Sequence, residues 1–269
     1  MLLSPYLTTA LDAAKAAAEV IRRYYQRNIE VRIKADKSPV TEADVETEKV
    51  IRGLIAARFP EHGFFGEETG QQALDAEYLW LVDPIDGTKA FVREYPFFST
   101  QIALMHRGRL IVGVSNAPVY RELAYAQLPH EAVAADSAAT KYEQLAVLND
   151  HPIRVSDIDT LEAAAISTGN LKTLAAGPCW SKLGRLIGLT HRIRGYGDFL
   201  HYHLLASGKI DIVIESDVNI LDIAALSVII TAAGGTMTDI DGQPLNLGTA
   251  SVLAANNHLH TIVLNALRS

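Results

Sequence analysis

Asp83-Pro84-Ile85-Asp86-Gly87-Thr88 follows directly on Tyr78–Val82, a short apolar run that reads YLWLV. The apolar run predicts a buried strand, and we expect that strand to stop at Asp83-Pro84, because proline offers no backbone N–H to a sheet. The two aspartates are three residues apart, with a proline between them and a glycine after them, which is typical of a tight turn. Two carboxylates on one rigid turn can bind a hard cation.

The same turn has a second possible use. If a helix begins near Thr88, the backbone N–H groups of Gly87 and Thr88 point toward one place, and that arrangement suits a phosphate group. The conformational alternative is that Asp83 only ends a strand and that Asp86-Gly87 is an ordinary turn. The six residues alone leave both interpretations open.

Further carboxylates lie far from this turn in the sequence. Glu67 belongs to Gly66-Glu67-Glu68, after the apolar pair Phe64-Phe65, and Asp222 lies where an Ala-rich helix is expected to begin. Each has a structural interpretation, since Glu67 and Glu68 suit a solvated loop and Asp222 suits a helix N-cap. The acidic residues point to a site only if they come together in the fold.

The rest of the chain predicts an α+β half followed by an α/β half. Residues 1–148 are predicted to form the N-terminal lobe, residues 149–269 the C-terminal lobe, and the polar stretch Tyr142–Pro152 their junction. Further predicted strands are Thr100–Met105, Leu110–Ser115 and Leu123–Ala126, expected to be antiparallel, and Ala163–Ser167 and Ile210–Ile214. Predicted helices are an amphipathic one near the N-terminus, one from the N-cap Thr41 to about Arg58, Phe199–Ala206, Asp222–Ala233 and His258–Leu267.

Composition excludes several classes of protein. The 269 residues are 49% hydrophobic and 20% charged, as in ordinary globular proteins. Because 24 Lys+Arg stand against 31 Asp+Glu, for a net charge of −7, a general attraction to nucleic acid is not expected. Cys179 is the single cysteine, and no apolar run reaches membrane-spanning length. We expect a cytoplasmic protein without nucleic-acid or membrane partners.

Taken together, the motifs resemble those of the inositol-monophosphatase-like superfamily of Mg²⁺-dependent, lithium-sensitive phosphatases. The resemblance spans nearly the whole chain. The matching segments are KSPVTEAD (Lys37–Asp44), GEE (Gly66–Glu68), WLVDPIDGTKAF (Trp80–Phe91), LDIAAL (Leu221–Leu226) and the turn Asp241-Gly242. It implies a layered α-β-α-β-α sugar-phosphatase-type fold with two lobes, a small phosphorylated metabolite as substrate, and a homodimer.

Within the superfamily, Lys89 and the sequence YGDF (Tyr196–Phe199) are most similar to the histidinol-phosphatase branch, which hydrolyses L-histidinol phosphate. Two enzymatic alternatives stay open: inositol-1-monophosphatase, and 3′(2′),5′-bisphosphate nucleotidase, which also carries DGTK. Leu221 stands where a tryptophan normally precedes the metal-binding aspartate. A non-enzymatic alternative is a protein-binding module that retains the phosphatase fold.

The resemblance also implies roles for individual residues. Two or three Mg²⁺ ions would be bound by Glu67, Asp83, Asp86, Asp222 and the Ile85 carbonyl. Glu67 and Thr88 would activate water, Gly87 and Thr88 would hold phosphate, and Lys89, Asp198 and Glu215 would face the organic part of the substrate. For Glu215 the structural alternative is a surface salt bridge, and for Asp198 it is a helix N-cap. Lys34 and Asp44 match a mobile segment of the family, although a capped helix start also explains Asp44.

Overall fold

The computed structural model describes residues 2–27, 31–33, 39–132 and 140–268. Within these ranges the helices are α1 (Pro5–Tyr24), α2 (Glu42–Arg58), α3 (Thr88–Val92), α4 (Leu171–Ala176), α5 (Trp180–Leu189), α6 (Asp198–Ala206), α7 (Ile220–Ala232) and α8 (Leu259–Arg268). The first strands are β1 (Val31–Ile33), β2 (Pro39–Thr41), β3 (Gly63–Gly66), β4 (Gly70–Gln72), β5 (Tyr78–Asp86), β6 (Ser99–His106), β7 (Arg109–Ala117), β8 (Glu122–Gln127) and β9 (His130–Ala132). The later strands are β10 (Thr140–Tyr142), β11 (Leu145–Leu148), β12 (His151–Pro152), β13 (Ala165–Thr168), β14 (Arg192–Arg194), β15 (Ile212–Ser216), β16 (Gly235–Thr238) and β17 (Ser251–Asn256).

The larger sheet has eight strands in the order β12-β11-β8-β7-β6-β5-β3-β4. Strands β5 to β8 pair antiparallel, as the sequence predicts, whereas β3 and β5 are parallel. The expected end of β5 at Asp83-Pro84 was wrong, because the strand continues to Asp86, which pairs with Ser99. The pairing register shifts between Asp83 and Asp86, and this irregularity accommodates Pro84 without a ladder N–H.

The smaller sheet has five strands in the order β14-β13-β15-β17-β16. Strand β13 is parallel to β14 and β15, while β17 is antiparallel to β15 and β16. The helices that precede and follow these strands confirm the alternating α/β character predicted for this half of the chain.

Helices and sheets alternate in five layers. Helices α1 and α2 cover one face of the larger sheet, α6 and α7 lie between the sheets, and α4, α5 and α8 cover the outer face of the smaller sheet. Apolar side chains fill each interface, so the helices of these layers bury their apolar faces against the sheets. The predicted layered α-β-α-β-α fold is confirmed.

Helix α7 is enclosed on all sides between the two sheets. Every residue of α7 except Asp222 and Thr231 is buried. On the side of the larger sheet it packs against β7 at Gly113, where a Cβ atom would come within 2.3 Å of the Ala225 carbonyl oxygen. Glycine therefore permits the close approach that brings the start of α7 toward the end of β5.

The predicted junction Tyr142–Pro152 contains two strands of the larger sheet. Strand β11 pairs with β8, and β12 forms the edge of the sheet next to β11. The division of the chain at residue 148 stays a prediction. None of the helices in the described ranges is long and apolar enough to cross a bilayer.

Candidate active site

The turn that ends β5 and starts α3 has the conformation that its sequence predicts. Asp83 Oδ1 accepts a hydrogen bond from the Ile85 N–H at 2.9 Å, and α3 begins at Thr88. Gly87 precedes the helix with φ of 92°, and a Cβ atom there would lie 2.6 Å from the Phe97 carbonyl oxygen. Only glycine fits this position without strain or steric conflict.

Three aspartates meet at this turn. Carboxylate oxygens of Asp83, Asp86 and Asp222 lie within 4.8 Å of one another, and Asp83 is only 3% exposed. Asp83 and Asp86 come from the end of β5, whereas Asp222 is delivered by the first turn of α7, more than a hundred residues later. The predicted convergence of distant carboxylates is confirmed.

Asp222 is held by its own helix terminus. The N-cap of α7 is Asn219, so the alternative of Asp222 as the N-cap was wrong. Asp222 is the third residue of the helix and completes a capping box, in which its Oδ2 accepts from the Asn219 N–H at 2.8 Å and its Oδ1 from Asn219 Nδ2 at 2.7 Å. The capping box fixes the direction in which this carboxylate enters the cluster.

Glu67 lies in the loop after β3, and that loop is fixed by a buried glutamate of α2. The two carboxylate oxygens of Glu48 accept hydrogen bonds from the backbone N–H of Glu68 at 2.8 Å and of Thr69 at 2.5 Å. A Cβ atom on Gly66 would lie 2.3 Å from Glu48 Oε1. Glu48 is fully buried, so α2 determines where Glu67 is placed.

Thr88 and Asp44 connect α3 to the start of α2. The Thr88 hydroxyl lies 3.2 Å from Asp44 Oδ1 and 3.1 Å from the Ile85 carbonyl oxygen, both of which are acceptors. Asp44 also completes a capping box with Thr41, so the predicted helix start is confirmed. Lys34, the other residue of the proposed mobile segment, lies outside the described residues.

One cavity of about 740 Å³ joins these groups to the substrate-side residues. Every site residue predicted from the sequence lies on its wall: Glu67, Asp83, Ile85, Asp86, Gly87, Thr88, Lys89, Asp198, Glu215 and Asp222. The sequence analysis missed other lining residues, among them Tyr95, Gly169, Asn170, Tyr202, Asp217 and Asn219. The chain therefore places phosphate-side and substrate-side candidates in a single space.

Residues 2–269 match the model of the inositol monophosphatase family. The chain belongs to this family. A histidinol-phosphatase of Mycobacterium tuberculosis is 36% identical over 270 residues, 98% of each chain. An inositol-1-monophosphatase of Synechocystis sp. is 32% identical over 98% of this chain and 89% of that protein. The crystal structure of extragenic suppressor protein suhB from Bartonella henselae has a TM-score of 0.85 with this chain, 28% identity and 99% coverage of both chains.

Membership of the inositol monophosphatase family also decides the reaction class. Together with the histidinol-phosphatase relatives, it makes the protein a phosphoric monoester hydrolase that acts on a small phosphorylated substrate. The resemblance to the superfamily that the motifs carry is thereby confirmed.

The aspartate cluster has the electrostatics of a cation site. Burial, and then the charges of neighbouring carboxylates, raise the pKa of Asp83 and of Asp86 well above the ordinary range. Burial also raises the pKa of Asp222 to about 7, against the opposing hydrogen bonds from Asn219. Closely spaced carboxylates that repel one another fit a hard divalent cation, which neutralises them and prefers oxygen ligands.

Glu215 has different surroundings from the three aspartates, because protein donors bind its carboxylate. Its Oε2 accepts hydrogen bonds from Tyr202 Oη at 2.6 Å and from His201 Nε2 at 3.0 Å. Burial opposes ionisation, but the charge of His201 and the two hydrogen bonds lower the pKa of Glu215. Because Glu215 is buried and its partner His201 is buried too, the alternative of a surface salt bridge was wrong.

Asp198 begins α6 in a left-handed conformation, with φ of 47°. The N-cap of α6 is Gly197, and no side chain caps this helix start, so the alternative of Asp198 as a helix N-cap was wrong. Burial and the nearby Glu215 charge raise the pKa of Asp198 to about 6. Asn170 and Asp217 on the same cavity wall are also left-handed, and Asn170 Nδ2 donates to Asp217 Oδ2 at 3.2 Å. Three of the ten non-glycine residues with positive φ in the described ranges thus line the cavity.

His201 and His203 serve different parts of the molecule. His201 contacts Glu215 at the cavity wall, whereas His203 contacts Glu122 and Ser115 in the layer between α6 and the larger sheet. The two histidines therefore have separate partners. Lys89 is the one Lys or Arg side chain among the described residues that line the cavity, so the basic residues Arg185, Arg192 and Arg194 are not part of its wall.

Proposed function

We propose that this protein is a Mg²⁺-dependent histidinol-phosphatase, which hydrolyses L-histidinol phosphate to L-histidinol and phosphate. The observation that carries the proposal is the second acidic group, Asp198 and Glu215, which lines the same cavity as the aspartate cluster. The 36% identical histidinol-phosphatase relative supports the same substrate.

The metal ligands in this proposal are Glu67, Asp83, Asp86, Asp222 and the Ile85 carbonyl, holding two or three Mg²⁺ ions. Bound there, Mg²⁺ would neutralise phosphate charge and acidify a coordinated water. The carboxylates are oxygen donors on rigid elements, and their mutual repulsion favours a cation over an empty cluster.

The chain's own groups orient the reactants. Thr88 lies against Asp44 and the Ile85 carbonyl, and with Glu67 it would hold the attacking water by hydrogen bonds. The N–H groups of Gly87 and Thr88 would donate to phosphate oxygens, because they lie at the cavity end of β5. Glu48 would keep Glu67 in place through the backbone of the loop.

Charge on the substrate side favours this ester over the alternatives. Histidinol phosphate carries an ammonium group and a partly protonated imidazole, which complement Asp198 and Glu215. A bisphosphorylated nucleotide would bring its second phosphate toward Asp198, Glu215 and Asp217, with Lys89 the one Lys or Arg in the described cavity wall. A myo-inositol ring has no charge to complement either carboxylate.

The test is phosphate release by the purified protein with Mg²⁺ from three esters: histidinol phosphate, inositol 1-phosphate, and adenosine 3′,5′-bisphosphate. We expect the largest kcat/KM for histidinol phosphate. A larger value for either competitor would refute the substrate assignment. The binding-module alternative gains support if Asp83→Asn abolishes phosphate release but still complements a deletion of the gene.

The family resemblance also leads us to propose a homodimer in the cytoplasm. Sedimentation velocity of the purified protein checks the first part, and a monomer at micromolar concentration would contradict it. Fractionation of cells that produce the full-length protein checks the second.

A further inference from the structure

His201 of α6 reaches the cavity only through another residue. The side chain is fully buried and is not among the residues that line the cavity, whereas Glu215 is. His201 Nε2 lies 3.0 Å from Glu215 Oε2, and His201 Nδ1 lies 3.3 Å from Ser167 Oγ. The histidine therefore stands directly behind a proposed substrate-side carboxylate.

The two ring nitrogens of His201 contact different partners. Ser167 Oγ accepts a hydrogen bond from the Tyr196 N–H at 3.2 Å and lies 3.3 Å from His201 Nδ1. A carboxylate only accepts, so His201 Nε2 carries a proton and donates it to Glu215. The two ring nitrogens of His201 therefore face Glu215 and Ser167 on opposite sides of the imidazole.

We propose that His201 is a positioning residue, which holds Glu215 so that one carboxylate oxygen stays bound to the protein and the other is left for a cationic group of the substrate. The inference rests on the proposed function and deepens it, because it names the residue on which preference for a cationic phosphate ester depends. His201 does not touch the substrate.

The two oxygens of Glu215 support this division. Both protein donors, His201 Nε2 and Tyr202 Oη, act on Oε2, and no described residue donates a hydrogen bond to Oε1. Oε1 lies against Gly169, where a Cβ atom would come within 1.8 Å of it. Gly169 does not need a left-handed φ, so the lack of a side chain there serves mainly to leave room for this oxygen.

The same contacts keep Glu215 charged. Burial next to other carboxylates would favour the protonated acid, but His201 and Tyr202 lower the pKa of Glu215 below its ordinary value. An ionised carboxylate with a fixed direction binds an ammonium or imidazolium group more strongly than a mobile or protonated one.

The chain offers a matched control two residues away. His203 lies on the same helix, is 1% exposed, and also contacts a carboxylate and a serine, Glu122 and Ser115. None of these three residues lines the cavity. His203→Leu therefore removes the same kind of buried contacts as His201→Leu, but not at Glu215.

The experiment compares KM and kcat for histidinol phosphate with those for glycerol 2-phosphate, an ester without a cationic group. We expect His201→Leu to raise KM for histidinol phosphate about tenfold and to leave KM for glycerol 2-phosphate within about twofold. His201→Gln keeps a donor and should recover most of the preference. Gly169→Ala should lose the preference for histidinol phosphate although His201 is intact. His203→Leu should keep this preference.

Two results would overturn the inference while the proposed function stands. One is that His201→Leu raises KM equally for both esters. The other is that His201→Leu and Gly169→Ala both keep the preference for histidinol phosphate. A wild-type protein that shows no preference for histidinol phosphate would overturn the proposed function, and the inference with it. Thermal unfolding monitors the fold of every variant. If His201→Leu does not fold, the preference for histidinol phosphate is compared in His201→Gln and Gly169→Ala. Loss of the preference in Gly169→Ala alone supports the inference. An unchanged preference in both variants overturns it.

Discussion

The cavity has two acidic walls, one formed by Asp83, Asp86 and Asp222 and the other by Asp198 and Glu215, and their carboxylates have different partners. On one wall, Asp83 and Asp86 face Asp222, and burial with mutual repulsion raises their pKa values. On the other, Glu215 is 8% exposed, yet two protein donors lower its pKa. Burial is common to both, so the partners decide the charge. The aspartate wall favours a cation as its partner, whereas the protein supplies two hydrogen-bond donors to Glu215 Oε2.

The largest effect should come from the aspartate wall. Asp83→Asn removes one proposed metal ligand, and we expect kcat to fall about a thousandfold, or about 4 kcal/mol in activation free energy. Steady-state phosphate release with saturating Mg²⁺ measures it. The exposed Asp159→Asn is the control and should keep full activity. A variant at position 83 that retains a tenth of the wild-type kcat would contradict the assignment.

Mg²⁺ should stabilise the fold through the same wall. At a Mg²⁺ concentration 100 times its Kd, the free energy of unfolding should rise by about 2.7 kcal/mol, because the ion binds the native state. Chemical denaturation with MgCl₂ or with chelator measures the gain. Glu215→Gln should retain most of it and Asp83→Asn should lose it. Equal gains in the two variants would remove the distinction between the walls.

The pH dependence of stability in an Asp198 variant tests whether the two walls differ. Its pKa of about 6 in the folded protein lies above the ordinary value of 3.8, so its contribution to stability is present below pH 3.8 and is lost as the pH rises through 6. Asp198→Asn should therefore be more stable than wild type at pH 8, by about 2 kcal/mol, and the difference should vanish toward pH 4. Denaturant unfolding across this range measures it.

In the same experiment, Glu215→Gln should change the stability in the opposite direction. The pKa of Glu215 is lowered, so its contribution to stability is present above the ordinary value and is lost only as the pH falls through the lower folded value. The variant should be less stable than wild type at pH 8. The same sign for both variants would show that the two carboxylates are held alike.

The smallest effect should come from Tyr202→Phe. This change removes one of the two donors to Glu215 Oε2 and leaves His201 in place. We expect a loss of about 1 kcal/mol in the free energy of unfolding. Tyr120→Phe is the control, since the Tyr120 ring packs against Phe97 and Phe199 and the change keeps that ring. Similar losses in both variants would argue against a special role for the Tyr202 hydroxyl.

Local sequence predicted the parts of the site that depend on neighbouring residues. An apolar strand, a proline near its end and a glycine in left-handed conformation place Asp83, Asp86 and Thr88 close together where β5 meets α3. The capping box at Thr41 and Asp44 likewise depends only on four consecutive residues. The meeting with Asp222 came from the order of motifs along the chain, since strand and helix patterns alone do not specify which elements pack together.

The rest of the site depends on contacts between distant segments. Glu48 supports the Glu67 loop from another element, and His201 becomes important only because β15 places Glu215 beside it. Local patterns also leave choices open where two residues that can cap a helix lie within one turn of each other. Asn219 and Asp222 both suit a helix N-cap, and Asn219 takes that position because α7 starts two residues earlier than the sequence suggested.

The enclosure of α7 links the site to the most protected part of the molecule. The buried residues of a helix covered by both sheets exchange their amide hydrogens slowly, because large-scale opening is needed to expose them. Asp222 sits on its first turn, so this carboxylate cannot leave the cluster by fraying of a surface element. The aspartate arrangement is therefore preorganised, and it persists for as long as the native state does.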